Sequence, residues 1–286
     1  VLYEKKDWRV SAYVNLSRNT NEITELPETM NPEPYTFKNG EYAIRIEEGR
    51  PFGSFYGYRY KGVYQNKDAT YARDIEGNVM KDISGNAIVM RNGSYTVAPG
   101  DAIYEDVNHD GVINQYDIVY LGNSNPRLTG GAGLNVSYKQ FKLSAIFYGR
   151  YGQDVVNATR LNNESMRGID NQSTAVLRRW RNEGDQTDIP RALYGEGYNT
   201  LGSDRFVEDA SYLRLKSLSF TYRLPKKAIQ RWGFNNIDVY VTGYNLFTWT
   251  KYTGQDPEVK TENTYARDTA TTPASIQLVA GFNLSF

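Results

Sequence analysis

The chain has no cysteine, which excludes a disulfide framework and any thiolate nucleophile or metal ligand. It has a single histidine, His109, so a multi-histidine zinc site is excluded and a Ser-His-Asp relay has only one candidate base. Basic and acidic side chains balance at 33 each, without the basic footprint of a nucleic-acid binder. No stretch reaches 18 consecutive apolar residues, which excludes a transmembrane helix. That absence leaves a membrane barrel open, because barrel strands are half polar and average out as hydrophilic. The mean hydropathy of -0.63 agrees with this. There is no GK[ST] phosphate loop, and GGAG at 130–133 lacks the spacing of a dinucleotide turn. No pair of carboxylates is placed by spacing for glycosidase chemistry, so the chain reads as a non-enzyme.

What the chain has in excess is tyrosine, 24 residues beside 11 Phe and 4 Trp. Amphipathic rings suit a boundary where an apolar body meets lipid and a hydroxyl meets water. A carbohydrate-binding or adhesive β protein uses them as well. The N-terminus, VLYEKKDW, has neither a start methionine nor the parts of a signal peptide. It reads as the middle of a hairpin, and the chain is expected to be a piece of something longer.

The C-terminal segment alternates strictly: Ile276, Leu278, Ala280, Phe282, Leu284 and Phe286 share one face. A strand ending on an aromatic residue suits the last strand of an outer-membrane barrel, with one face to lipid and one to a wet lumen. A soluble sandwich strand also alternates. Period-two alternation recurs over 8–17, 134–139, 141–151 and 237–249, and more weakly over 41–48, 54–65 and 211–223. Within 211–223 the apolar phase slips, from Leu213 and Leu215 to Leu218, Phe220 and Tyr222, the trace of a bulge or of a strand buried on both faces. About eight strands are expected. Short connections near 49–53, 139–140 and 224–235 alternate with long ones at 19–40, 66–128, 153–210 and 251–274. That is the asymmetry of short periplasmic turns and long extracellular loops. Within the loops, 172–182 reads as one short helix. Asp74-Ile-Glu-Gly-Asn and Asp82-Ile-Ser-Gly-Asn read as two turns of a small hairpin.

One motif points to a metal. Residues 106–117, DVNHDGVINQYD, place Asp106, Asn108 and Asp110 at positions 1, 3 and 5 of an EF-hand-type loop. Gly111 supplies the turn at 6, the Val112 carbonyl falls at 7, Asn114 at 9 and Asp117 at 12. Ca2+ needs six to eight hard oxygen ligands on a curved loop, so a structural Ca2+ held by Asp106, Asn108, Asp110, Val112 and Asp117 is the expectation. Asp in place of Glu at position 12 makes bidentate closure less certain, and a metal-free Asx-rich turn is the alternative. No second such loop follows, so this is not a dockerin pair. His109, at position 4, points away from the ion.

Four stretches together resemble the SusC/RagA family of TonB-dependent transporters: PFGSFYGYRYKGVYQ (51–65), PGDAIYEDVNHDGVINQYDIVYLGNSNPRLTGG (99–131), RWRNEGDQTDIPRA (179–192) and SDRFVEDASYLRLKSLSFTYRLPKK (203–227). NLFTWTKYTGQDPEV (245–259) adds a fifth, in family order. The resemblance implies an all-β fold, the C-terminal strands of a large plugged transmembrane β-barrel with long extracellular loops. On it, residues 1–286 are the C-terminal portion of the barrel, and the plug and earlier strands precede them. It further implies the outer membrane of a Bacteroidetes-like bacterium, a SusD-like surface lipoprotein, TonB acting through the missing N-terminal region, and oligosaccharide or peptide cargo. The loops 66–128, 153–210 and 251–274 would form part of the cargo chamber. The reading weighed against it is a soluble, calcium-stabilised glycan-binding or adhesive β domain, which requires two sheets facing each other across a core.

Overall fold

The computed structural model describes residues 1–27, 41–44, 46–259, 261–262 and 265–286. Its main element is an antiparallel sheet of seven strands that neighbour one another in chain order. These are β1 (Tyr3–Lys5), β2 (Trp8–Ser17), β3 (Leu128–Tyr138), β4 (Phe141–Tyr151), β5 (Tyr212–Arg223), β6 (Asn236–Thr250) and β7 (Gln277–Ser285). From β2 on they run 9 to 15 residues, the length a tilted strand needs to cross a bilayer. The sheet is open: among the described residues no strand pairs with the outer edge of β1 or of β7.

Register sorts the side chains into two faces. From β2 to β7 one face carries rows such as Val10–Val136–Leu143–Phe220–Val241–Ala280, joined through the antiparallel pairs. No charged residue falls on it. Aromatic residues line both ends: Trp8, Tyr138, Phe141 and Tyr222 beside the turns, Tyr151, Phe247 and Trp249 beside the loops. Trp8 packs on Tyr138 at 4.3 Å and Phe141 on Tyr222 at 4.9 Å. The opposite face carries Arg9, Asn15, Asn135, Ser144, Ser219, Thr242 and Asn283, with hydrogen bonds such as Ser144 Oγ to Asn135 Oδ1 at 2.7 Å. Among the described residues nothing covers the apolar face: Leu16 is 69% exposed, Leu278 75% and Phe282 68%. A soluble sandwich would bury this face under a second sheet; among the described residues none lies over it.

The phase slip in 211–223 is a bulge. Lys216 is skipped between Leu215 and Ser217 where β5 pairs with β4. On the other side β6 carries its own extra residue between Tyr244 and Phe247, with Asn245 at φ 53. The two irregularities sit side by side, so the apolar face stays continuous across the slip.

Connections at one end are short: residues 6–7, 139–140 and 224–235, the last holding helix α1 (Lys226–Ile229). Lys6 and Lys139 take left-handed φ of 51° and 50° to close their two-residue turns. At the other end lie 18–127, 152–211 and 251–276. Every long connection is therefore on one side, as the alternation of lengths implies. The first is longer than expected, because 41–48 and 54–65 are not wall strands. In their place are Ala43–Ile44, Ser54–Gly57 and Tyr60–Val63, short pieces in small sheets of the loop region. Phe55 and Tyr56 are both buried, so their residues face a core on two sides, and alternation there does not mark a lipid boundary. Arg45 and residues 28–40, part of the expected loop 19–40, lie outside the described residues. The expected helix over 172–182 is a single 3-10 turn, Thr174–Arg178, with Val176 buried.

The buried apolar residues of the chain lie mainly in these loops. One core joins Tyr58, Tyr64, Val97 and Tyr104 of the first to Tyr198 and Leu201 of the second. Another joins Val155 and Ala210 of the second to Tyr252, Val259 and Ala266 of the third.

Candidate functional site

The polar face of the sheet and the loop assembly above it form one continuous site. At its junction lies Arg214, on the polar face of β5 and only 3% exposed. Its Nε donates to Thr248 Oγ1 at 2.8 Å and its Nη1 to Glu258 at 2.8 Å; Nη2 pairs with Asp256. The bulge turns Lys216 toward the same group, with Nζ 2.9 Å from Glu258. Its ammonium lies 5.7 Å from the Tyr148 ring. Arg150 Nε donates to Tyr148 Oη at 3.2 Å. Two carboxylates from the third loop thus reach back and clamp two cations of the wall. A buried guanidinium needs such partners, since desolvation without them costs several kcal/mol, on the order quoted for isolated buried ions.

A second clamp joins loops one and two. Asp101, fully buried, accepts from Arg191 Nε at 2.7 Å, from Tyr95 Oη at 2.7 Å and from the Ala98 amide at 2.9 Å. The hydrogen bond that Arg191 donates to Asp101 holds its guanidinium above its ordinary value. Glu164 and Arg205, both nearly buried, pair at 2.8 Å in a third clamp. Burial pushes the Tyr60 and Tyr64 hydroxyls up to about 12, so these loop-core tyrosines stay neutral, and Tyr60 donates to the Asp188 carbonyl at 2.6 Å.

The 106–117 loop is a tight Asx-rich turn. His109 and Gly111 both take left-handed φ, 56° and 79°. The Asp106 and Asn108 Oδ1 atoms converge on the Asp110 amide at 3.2 and 3.3 Å, and Asp106 Oδ2 accepts from Gly111 at 2.8 Å. Asp110 Oδ1 accepts from the Val112 amide at 2.8 Å. The Val112 carbonyl accepts from Asn114 Nδ2 at 3.2 Å. Asp117 is fully buried, and its two oxygens accept from the Val107 and Asn114 amides at 2.8 Å each. Burial raises the Asp117 carboxyl; those two amides oppose the shift, and the charges of Asp106 and Asp110 add to it. Oxygens of Asp106, Asn108 and Asp110 are therefore brought together, while Asp117 closes the loop through backbone hydrogen bonds. No three His, Cys, Asp or Glu side chains converge as a metal centre among the described residues. The loop is built to hold its shape by Asx turns, and its donor chemistry is that of a hard cation.

The loop also has a seat. Ala72 donates to the Ile88 carbonyl at 2.8 Å, Ile88 to Met80 at 2.9 Å and Met80 back to Ala72 at 2.9 Å, closing a three-membered ring at eight-residue spacing. The two DxxGN turns expected from the sequence are the corners: Asp74 and Asp82 accept from the Asn78 and Asn86 amides at 2.8 and 2.9 Å. Gly111 presses on this ring, and a Cβ there would stand 2.9 Å from Ala72 Cβ.

The wall strands with their polar and apolar faces, the loop length on one side and the stitched loop cores are now placed. No protein-family model matches the chain. Among curated proteins it is similar to TonB-dependent receptor P3 of Formosa agariphila, 33% identical over 262 residues, covering 90% of this chain and 24% of that protein. It is similar also to TonB-dependent receptor P26 of the same organism, 36% identical over 159 residues, covering 56% of this chain and 16% of that one. The chain resembles a fragment of a SusC/RagA-like TonB-dependent receptor. Its fold is similar to part of the RagAB peptide transporter: TM-score 0.72 at 28% identity, over all of this chain and 28% of that one. The RagAB peptide importer in its open-open state matches with a TM-score of 0.68. The SusC/RagA resemblance read from five stretches is thereby supported along the whole chain. The chain spans about a quarter of the length of these relatives, and they are named as receptors and transporters, not enzymes.

Of the residues singled out by sequence, Asp106, Asn108, Asp110, Val112 and Asp117 are brought into one loop. Arg214, Lys216, Asp256 and Glu258 were missed. Their signal was a charge on a polar-face position opposite the acidic DPE of 256–258, but the bulge at Lys216 hides the parity.

Proposed function

We propose that this chain forms part of the wall and external loops of a TonB-dependent outer-membrane transporter of the SusC/RagA kind. In that reading it imports oligosaccharide or peptide cargo together with a SusD-like surface lipoprotein, driven by TonB through the missing N-terminal region. The observation that carries the reading is the two-faced sheet: an uncharged apolar face with nothing over it, backed by a polar face that rises into structured loops. Water would not tolerate the first, and hydrocarbon does not accept open strand edges, so further strands are required to close the wall. The polar cluster of Tyr148, Arg150 and Lys216, held from behind by the buried Arg214 clamp, is the part of this chain proposed to meet cargo. Peptide cargo fits it best, since carboxylates and amides pair with such donors.

We further propose that the 106–117 loop takes Ca2+ through Asp106, Asn108, Asp110, the Val112 carbonyl and Asp117. The ion would be structural, pinning a long loop whose ordering entropy is otherwise unaided.

The test is the mass of the native protein extracted from outer membranes in mild detergent, with its co-purifying partners identified. A species several times larger than 32.6 kDa, carrying this sequence and accompanied by a lipoprotein, supports the transporter. A detergent-free monomer of 32.6 kDa sinks it.

A further inference from the structure

The cations of the polar cluster are not equally matched. Arg214 and Lys216 face the two carboxylates of the third loop, Asp256 and Glu258, and are neutralised by them. Arg150 makes no ion pair among the described residues; its Nε donates to Tyr148 Oη at 3.2 Å, a neutral partner.

The strands around Arg150 supply no acid. On the polar face Arg150 stands opposite Thr129 of β3 and Tyr212 of β5, while Tyr148 stands opposite Gly131 and Arg214. Tyr212 is only 5% exposed, and its Oη has no hydrogen-bond partner among the described residues. Buried hydroxyls are as a rule satisfied. A guanidinium without an acid therefore lies directly across the sheet from a hydroxyl without an acceptor. Beside them the wall is bare: a Cβ built on Gly131 would meet only the Phe147 carbonyl oxygen, at 3.2 Å. Asn15, exposed, is the next residue of that row.

Both groups have protons to donate and both lack an acceptor. The planar fork of a guanidinium pairs bidentately with a carboxylate, and the phenol adds a further donor. A second negative group beside the first would meet Asp256 and Glu258, and like charges so placed are costly. The bare strip over Gly131, with the Asn15 amide at its far side, leaves room for extended backbone.

We propose that Arg150 and Tyr212 form a subsite that takes one carboxylate of peptide cargo. This subsite rests on the peptide-cargo reading above and adds to it which groups select the cargo and by which feature. Arg150 carries the charge recognition, and Tyr212 donates once Arg150 has turned to meet the carboxylate. Arg214 stays with the third loop and takes no part.

The test uses the full-length receptor in mild detergent, with any lipoprotein that co-purifies. It is mixed with a tryptic digest of serum albumin, or with the same digest after methyl esterification of its carboxyl groups. Peptides retained through gel filtration are quantified by mass spectrometry. Esterification is expected to lower retention about tenfold, as loss of a charged hydrogen-bonded pair does. In R150Q the two digests are expected to be retained within about twofold of each other, and Y212F is expected to retain about threefold less of the unesterified digest. Heat-modifiable mobility checks that both variants fold; a hydroxyl with a purely structural role would leave retention by Y212F unchanged. Retained peptides that lack Asp and Glu assign the bound group to the C-terminal carboxylate. Retention confined to peptides that contain them assigns it to a side chain. Equal retention of both digests by the wild-type receptor, or an esterification effect that survives in R150Q, overturns the subsite and leaves the peptide reading standing. Retention of neither digest overturns the peptide reading and the subsite with it.

Discussion

The ring of Tyr13 lies across Gly133, so closely that a Cβ built on Gly133 would stand 2.2 Å from Tyr13 Cε1. The two are direct cross-strand partners on the polar face. Tyr240 covers Gly281 in the same way, with its Oη 2.7 Å from the Cβ position. A glycine in a strand lacks side-chain packing, and an aromatic neighbour laid over it restores cover and pins register. Gly133→Ala is expected to push the Tyr13 ring aside and cost about 1 kcal/mol, at the low end for overpacking, because the ring end is free to swing. The same change in a Tyr13→Ala background is expected to cost less. Denaturant unfolding of the four species in liposomes measures the coupling, and additive effects would remove the pairing. Gly168→Ala, with nothing nearer than 3.6 Å, is the neutral control.

Charge placed on the two faces should have unequal effects. Leu134→Arg puts a cation at mid-wall on the apolar face and is expected to cost about 2–4 kcal/mol in a bilayer. Ser144→Arg, on the next strand but on the polar face, is expected to cost far less. Folded fraction by gel mobility in membranes of defined thickness reads the difference. Equal losses would mean that the apolar face does not meet lipid.

Removing Arg214 should free the third loop without unfolding the wall. Arg214→Ala leaves Asp256 without its cation and Glu258 with Lys216 alone, both partly buried. The expected loss is roughly 3 kcal/mol, the lower end for a broken buried pair, because both acids still reach some solvent. Hydrogen exchange within 251–276 should rise while β5 and β6 stay protected. Unchanged exchange there would show that the clamp carries no stability.

The 106–117 loop should respond to pH and to cation in opposite senses. The folded Asp117 carboxyl is raised above its ordinary 3.8 by burial. Between that value and the raised one the folded state binds more protons than the unfolded state. Stability therefore falls as pH rises through this window and levels off above it. In Ca2+-free buffer, exchange protection of 106–117 is expected to be greater near the bottom of the window than at neutral pH. Adding Ca2+ at neutral pH is expected to restore it. Asp106→Ala with Asp110→Ala should abolish the Ca2+ response and loosen the loop, leaving the barrel folded. A Ca2+-insensitive loop would leave the metal-free Asx turn as the whole account.

The wall was legible in the sequence because its physics is local. Strict alternation over 8–17, 141–151 and 275–286 states which side chains share the apolar face, and a parity slip between Leu215 and Leu218 reports a bulge. The same rule misled over 54–65, where Phe55 and Tyr56 are buried on both faces of a small loop sheet. Alternation reads burial, and it does not distinguish lipid from a protein core. The clamps were invisible for another reason. Asp101 and Arg191 are 90 residues apart, and Arg214 and Glu258 are 44 apart, so no local window holds both partners. The ring of Ala72, Met80 and Ile88 lies between these cases. Its eight-residue repeat was visible as DxxGN, but the closure of the ring was not.

That separation along the chain also sets a timetable. The loop cores and clamps are stitched from residues that are far apart until β3 to β6 lie side by side. Each such contact must first meet the closure entropy of a long chain segment. Two hairpins of the wall, β1–β2 and β3–β4, are joined by two-residue turns and face no comparable delay. Those two hairpins are therefore expected to form early, whereas the pairing of β2 with β3, β4 with β5 and β6 with β7 closes the same long loops as the clamps, so wall and loop cores are expected to mature together.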